Sequence, residues 1–174
     1  MKVNGYKLKE AIKRWENRKT PLLREFQSSF FRKPSQKGRS PEDISKDILN
    51  VEEAIASLQE AQAKYNLNTT VSYFLFGEEK RLSLLSAVKL IGGIGRVEGL
   101  WKAESSKDED PYDNQKLHYG QTNTQYEWPQ RTMPLKEVIE KANQQNVYVT
   151  ALRSGIAEAN SKDLDIDIKP ELFQ

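Results

Sequence analysis

Apolar residues recur along three stretches of this chain at alternating spacings of three and four. Leu8, Ile12, Trp15, Leu22 and Phe26 form the first set. Ile44, Ile48, Val51, Ile55, Leu58 and Tyr65 form the second, and Leu135, Val138, Ala142, Val149, Leu152 and Ile156 the third. A step of 100° per residue gathers each set into one narrow stripe of a long helix, which another helix can hide. The pattern predicts helices over about 6–31, 41–65 and 134–160. Pro21 lies inside the first, where it removes a backbone donor and crowds the preceding turn. A bent helix is expected there, or two stacked segments with Thr20 capping and Pro21 at the first helical position. Ser40-Pro41-Glu42-Asp43 marks a sharp start for the second helix: a serine cap, a proline in the first turn, and two acids at the positive end of the helix dipole. With the basic loop 32–39 between them, the first two helices make an antiparallel hairpin.

Between the second and last helices the period changes. Residues 69–76 are rich in Thr, Val, Tyr and Phe and read as a strand. Residues 77–80 read as a turn, and a third helix covers about 82–101, with Leu84, Val88 and Ile91 on one side. That helix contains Gly92, Gly93, Gly95 and Gly99, each costing about 1 kcal/mol relative to alanine in a helix interior. Such a cost calls for a closely approaching backbone or a break. Residues 105–132 are the least regular, acidic at first and aromatic later. Short strands near 116–119 and 124–128 are expected to pair with 69–76. In the arm 161–174, Asp163, Asp165 and Asp167 alternate with apolar residues, as in an edge strand or docked arm whose carboxylates meet the basic N-terminal region. The fold class is mainly α with a small β element: an antiparallel bundle of three or four long helices with a short, mostly antiparallel sheet, in one domain over 1–174.

Composition narrows the class. Apolar residues make 37% and charged residues 30%, which suits helices with one buried stripe and wet remaining faces. No run approaches the roughly 18–20 apolar residues of a membrane span, and residues 1–5 lack the apolar block of a secretory signal. Together with the absence of cysteine these features point to a cytoplasmic protein without disulfides, and they argue against a membrane partner. The net charge of +2 hides an asymmetry. Residues 1–40 carry twelve Lys or Arg against Glu10, Glu16 and Glu25, a net of +9, and the remainder a net of −7. Opposite blocks attract within a fold or between subunits, whereas a duplex-binding protein is more often basic throughout, so nucleic acid is disfavoured as a partner.

No reaction is announced. The run Gly93-Ile94-Gly95-Arg96-Val97-Glu98-Gly99 is one residue off the dinucleotide fingerprint and follows a helix instead of a strand. The acidic run 108–114 lacks the central glycine and spacing of a calcium loop. One histidine and no cysteine leave no zinc set, and no G-x-S-x-G turn accompanies His118. No metal or cofactor is expected. One constellation remains in and beside the irregular region: Arg96, Trp101, His118, Tyr126, Trp128 and Arg131. Arginine offers forked donors to phosphate or carboxylate, and the aromatic rings offer flat faces to a base. The same aromatics could equally fill a core beneath a small sheet.

The order of elements resembles a family of small helical proteins of bacteria and phages, some labelled septicolysin. The residues that carry the resemblance are Lys7-Leu8-Lys9-Glu10-Ala11-Ile12, Lys64-Tyr65-Asn66 followed by Thr69-Thr70, Leu82-Ser83-Leu84-Leu85-Ser86-Ala87-Val88, and Arg153-Ser154-Gly155-Ile156-Ala157-Glu158-Ala159-Asn160. The resemblance implies a mostly helical chain with a small β element and no assigned catalytic residues. The 105–131 region and the glycine-rich third helix depart from it. The expected function is that of a non-enzymatic, self-associating binding protein that sequesters a small anionic, nucleotide-like ligand. A helical scaffold for a protein partner is the main alternative, and an enzyme acting on anionic substrates the second.

Overall fold

The structure, a computed structural model, describes residues 1–31, 37–110 and 129–174. It forms two compact units. Unit 1 contains Met1–Ser72, Arg81–Leu85 and Ile156–Gln174, and unit 2 contains Tyr73–Lys80 and Ser86–Gly155. The elements, in chain order, are β1 (Lys2–Val3), α1 (Gly5–Ser29), α2 (Pro41–Asn68), β2 (Thr70–Leu75), β3 (Glu78–Ser83), α3 (Leu84–Ser105), α4 (Leu135–Ser161), β4 (Leu164–Asp165) and a 3-10 turn (Pro170–Phe173). The class is α+β, as the hydrophobic periodicity requires. No described helix is long and apolar enough to cross a membrane.

In unit 1, Asn4 starts α1 by accepting a hydrogen bond from the Lys7 N–H at 3.0 Å. Ser40 starts α2 by accepting from the Asp43 N–H at 3.1 Å and donating to the Asp43 carboxylate at 2.7 Å. Each side chain satisfies a donor that the first helical turn leaves without a partner. α1 continues unbroken through Pro21. Arg39, just before α2, pairs with Glu25 late in α1 at 3.8 Å. Further along, Lys19 meets Glu52 at 3.1 Å, and Gly5 at the start of α1 lies against Tyr65 near the end of α2. Numbers that fall on one helix as they rise on the other define an antiparallel pair. The predicted stripes lie at its centre in part: Leu8, Ile12, Ile44, Val51, Ile55, Leu58 and Tyr65 are buried, whereas Trp15, Leu22, Phe26 and Ile48 are half-buried.

The ends of unit 1 are joined by β1, which pairs antiparallel with β4, Lys2 opposite Asp165 and Val3 opposite Leu164. Met1 extends the ladder, since its N donates to the Ile166 carbonyl at 2.8 Å and its own carbonyl accepts from the Ile166 N–H at 3.0 Å. One aspartate of the arm meets a basic group here, and a second stands in register with one. Asp163 lies 3.8 Å from Lys7, and Asp165 faces Lys2.

The sheet differs from the sequence expectation at residues 78–83, which form a strand. Among the described residues β2 pairs with β3, whose residues read as a turn and the start of a helix. A strand of Glu78, Glu79, Lys80 and Arg81 lacks the apolar alternation that marks a half-buried strand. Phe76 (φ 51°) and Gly77 (φ 86°) form the two-residue connection, both with the positive φ that a tight hairpin demands. The expected strands at 116–119 and 124–128 lie outside the described residues. At the base of the hairpin the Leu84 N–H donates to the Thr69 carbonyl at 2.8 Å.

In unit 2, Tyr73 on β2 stacks against Tyr148 on α4, ring centroids 6.1 Å apart and planes 20° from parallel. Val138, Val149 and Leu152 of the third stripe are buried, as are Ala87 and Ile94 of α3. α3 runs unbroken through its four glycines.

Candidate functional site

In unit 2, Trp101 and Arg131 line one cavity of about 380 Å³, together with Met133 and Val138. Arg131, however, is engaged by main chain. Its Nε donates to the carbonyls of Glu109 (3.1 Å) and Asp108 (3.3 Å), and its Nη2 to those of Asp108 (3.0 Å) and Glu104 (3.5 Å). These carbonyls lie in and beyond the last turn of α3, so the guanidinium serves as a side-chain cap. Arg96 does not line this cavity. It precedes Trp101 by five residues on α3, which turns it about 140° around the helix, and it is exposed. His118, Tyr126 and Trp128 lie outside the described residues.

A second, more developed concavity lies wholly in unit 1. It is a groove of about 460 Å³ that follows α2 from Asn50 to Lys64, roughly 21 Å at 1.5 Å per residue. Its floor is small-residued: Ala54, Ser57 and Ala61 succeed one another on one face of α2, beside the buried apolar stripe. Its other wall is the C-terminal arm, through Asp167, Ile168, Lys169 and Leu172, and Trp15 of α1 lies between. The wall is placed by α1. The Trp15 indole N–H donates to the Leu172 carbonyl at 2.9 Å. Arg18 stacks its guanidinium 4.6 Å from the Trp15 ring centroid and donates to the Gln174 carbonyl at 3.2 Å.

The rims carry both signs of charge. Lys64 holds Glu60 at 2.7 Å. That hydrogen bond raises the Lys64 ammonium above its ordinary value, with the Glu60 charge and then that of Asp167 adding to it. The same bond holds the Glu60 carboxyl below the usual range. Both groups therefore stay ionised near neutrality, which suits fixed charges and not a proton-transfer group. Glu53, Asp167 and Lys169 complete the charged lining around a floor of small side chains. Among the described residues no group of three or more His, Cys, Asp or Glu could hold a metal ion.

The groove was not singled out by the hydrophobic pattern. Its signal in the sequence is the small-residue series Ala54, Ser57, Ala61 running parallel to the stripe, and that series says nothing of the arm that builds the opposite wall.

No family model matches the chain, and no curated protein matches it. Among solved structures it is similar to a functionally unknown conserved protein from Corynebacterium diphtheriae. The TM-score is 0.60 and the identity 14%, over 95% of this chain and 100% of the other. At this identity the likeness is one of fold.

Proposed function

We propose that this is a non-enzymatic binding protein whose ligand lies in the groove between α2, Trp15 and the C-terminal arm. The observation that carries the reading is the composition of that groove: a floor of small side chains flanked by carboxylates and ammonium groups, long enough for an extended segment of about six residues at 3.3 Å each. A short peptide or another ligand bearing both charges fits it better than a simple anion, because Glu53, Glu60 and Asp167 would oppose one.

Native mass spectrometry of freshly purified protein, followed by thermal shift with dipeptides, nucleotides and metabolites, tests the proposal. A retained mass or a stabilising compound is expected, and Ala61→Phe, which fills the groove, should abolish it. A compound that binds Ala61→Phe as well as the parent chain, or a panel that shifts nothing, removes the reading.

A small anionic, nucleotide-like ligand at the Trp101–Arg131 cavity is the second reading. It is favoured by the indole and guanidinium lining one space. Binding there is insensitive to Ala61→Phe and lost in Trp101→Ala.

A further inference from the structure

α3 carries a second stripe beside its buried one. Leu90, Gly93, Val97 and Leu100 follow at spacings of three, four and three, and Glu104 lies four residues further on. Steps of 100° confine these positions to about 80° of the helix surface. This is the spacing of a helix–helix seam, yet the seam faces outward. Leu90 is 38% exposed, Val97 42% and Leu100 69%. A Cβ built at Gly93 meets nothing within 4 Å, and the same holds at Gly92, Gly95 and Gly99. The glycines therefore make room for no neighbour in the described chain, although each weakens the helix relative to alanine.

We propose that a second copy of this chain covers the seam, α3 against α3, antiparallel about a two-fold axis. Centring the pair between Gly93 and Val97 sets Leu90 opposite the partner's Leu100 and Gly93 opposite the partner's Val97. A branched side chain then enters the hole left by a missing one, twice. Ser86 lies level with the partner's Glu104, and Lys89, within one turn and 60° of the seam centre, reaches that carboxylate at both ends. In the free chain Glu104 pairs with Lys107 at 2.6 Å, an exposed contact that a second cation can share. The parallel arrangement sets Glu104 against Glu104 and Gly93 against Gly93, a repulsion and a void, so charge and shape select the antiparallel pair. Arg96 stays on the flank, about 80° from the seam centre, in water.

The seam runs about 27 Å from Ser86 to Glu104. At a helix width of about 10 Å the seam covers on the order of 270 Å² per partner, less than the roughly 800 Å² of a standard interface, so the dimer forms with rising concentration and is not obligate. This inference is independent of the ligand groove, and Ala61→Phe leaves it unchanged.

Sedimentation velocity of the full chain from about 1 to 300 μM tests it. A concentration-dependent monomer–dimer equilibrium is expected, weakened at least tenfold by Leu100→Glu. Gly93→Leu fills the hole while improving helix propensity, so it should raise the melting temperature and weaken the dimer together, a pairing that a damaged fold does not give. The chain has no cysteine, so orientation is read by oxidation. Leu90→Cys mixed with Leu100→Cys should cross-link, whereas Leu100→Cys alone should not. A chain that stays monomeric throughout, a dimer unaffected by Leu100→Glu and Gly93→Leu, or self-linking of Leu100→Cys overturns the proposal.

Discussion

Tyr65 is the residue around which unit 1 closes. Its ring is fully buried, and its hydroxyl reaches the carbonyls of Ala159 at 2.7 Å and Lys162 at 2.8 Å. A phenol has one proton, so these two acceptors share a single donor. Gly5 completes the junction, because any side chain there would overlap Asn160 Oδ1 and come within 3.0 Å of the Tyr65 ring. Gly5→Ala should therefore destabilise the protein by about 1–3 kcal/mol through overpacking, measured as a lower urea midpoint. Tyr73 offers a titration instead. Burial, and secondarily its contact with Tyr148, pushes its phenol up to about 12. Between the ordinary value near 10 and that value the folded state holds a proton that the unfolded chain has lost. The stabilisation is thus complete below about pH 10 and disappears as pH rises toward 12. Chemical denaturation across pH 8–12 should show this alkaline decline, and Tyr73→Phe should flatten it.

At the scale of elements, the starts of helices were the most legible feature. Ser40 and Pro41 open α2 where the capping residues place them, and the burial of Ile44, Val51, Ile55 and Leu58 follows from their spacing alone. What the spacing cannot supply is a partner. Four of the six residues of β3 are charged, and alternation of apolar and polar positions does not mark it. β1 is two residues long, and its pairing with β4 joins positions more than 160 apart. The candidate site was legible only as a list of chemical types. Arg131 looked like a ligand-binding arm, and its carbonyl acceptors belong to backbone that no side-chain pattern encodes. Arg131→Ala should fray the end of α3 and lower the melting temperature by a few degrees, seen as lost helical signal, while leaving binding in the groove of unit 1 intact. In α1, Pro21 is exposed and withholds a donor from a continuous helix. Pro21→Ala should stabilise the chain by up to about 3 kcal/mol in thermal unfolding.

At the scale of the molecule, the charge asymmetry resolves partly inside the helix hairpin. Basic α1 meets acidic α2 through Lys19–Glu52, and Arg39 of the basic N-terminal block, just before α2, pairs with Asp47. The two units are unequal in their burial. Of the eight largest fully buried side chains among the described residues, Leu152 alone belongs to unit 2. Local opening costs least where few apolar contacts are lost. Hydrogen exchange followed by mass spectrometry should accordingly show slower exchange in residues 44–65 than in residues 86–104. Equal protection in the two segments would mean that cooperativity extends across the whole chain.

The Tyr65 hydroxyl and the β1–β4 ladder also fix an order of events during synthesis. The acceptors at Ala159 and Lys162, and the strand that receives Lys2 and Val3, are translated about a hundred residues or more after the elements they complete. On the ribosome the α1–α2 pair must wait, half-stitched, while the whole of unit 2 emerges. A stalled or prematurely ended transcript would release a hairpin with an open seam, a ready target for quality-control proteases.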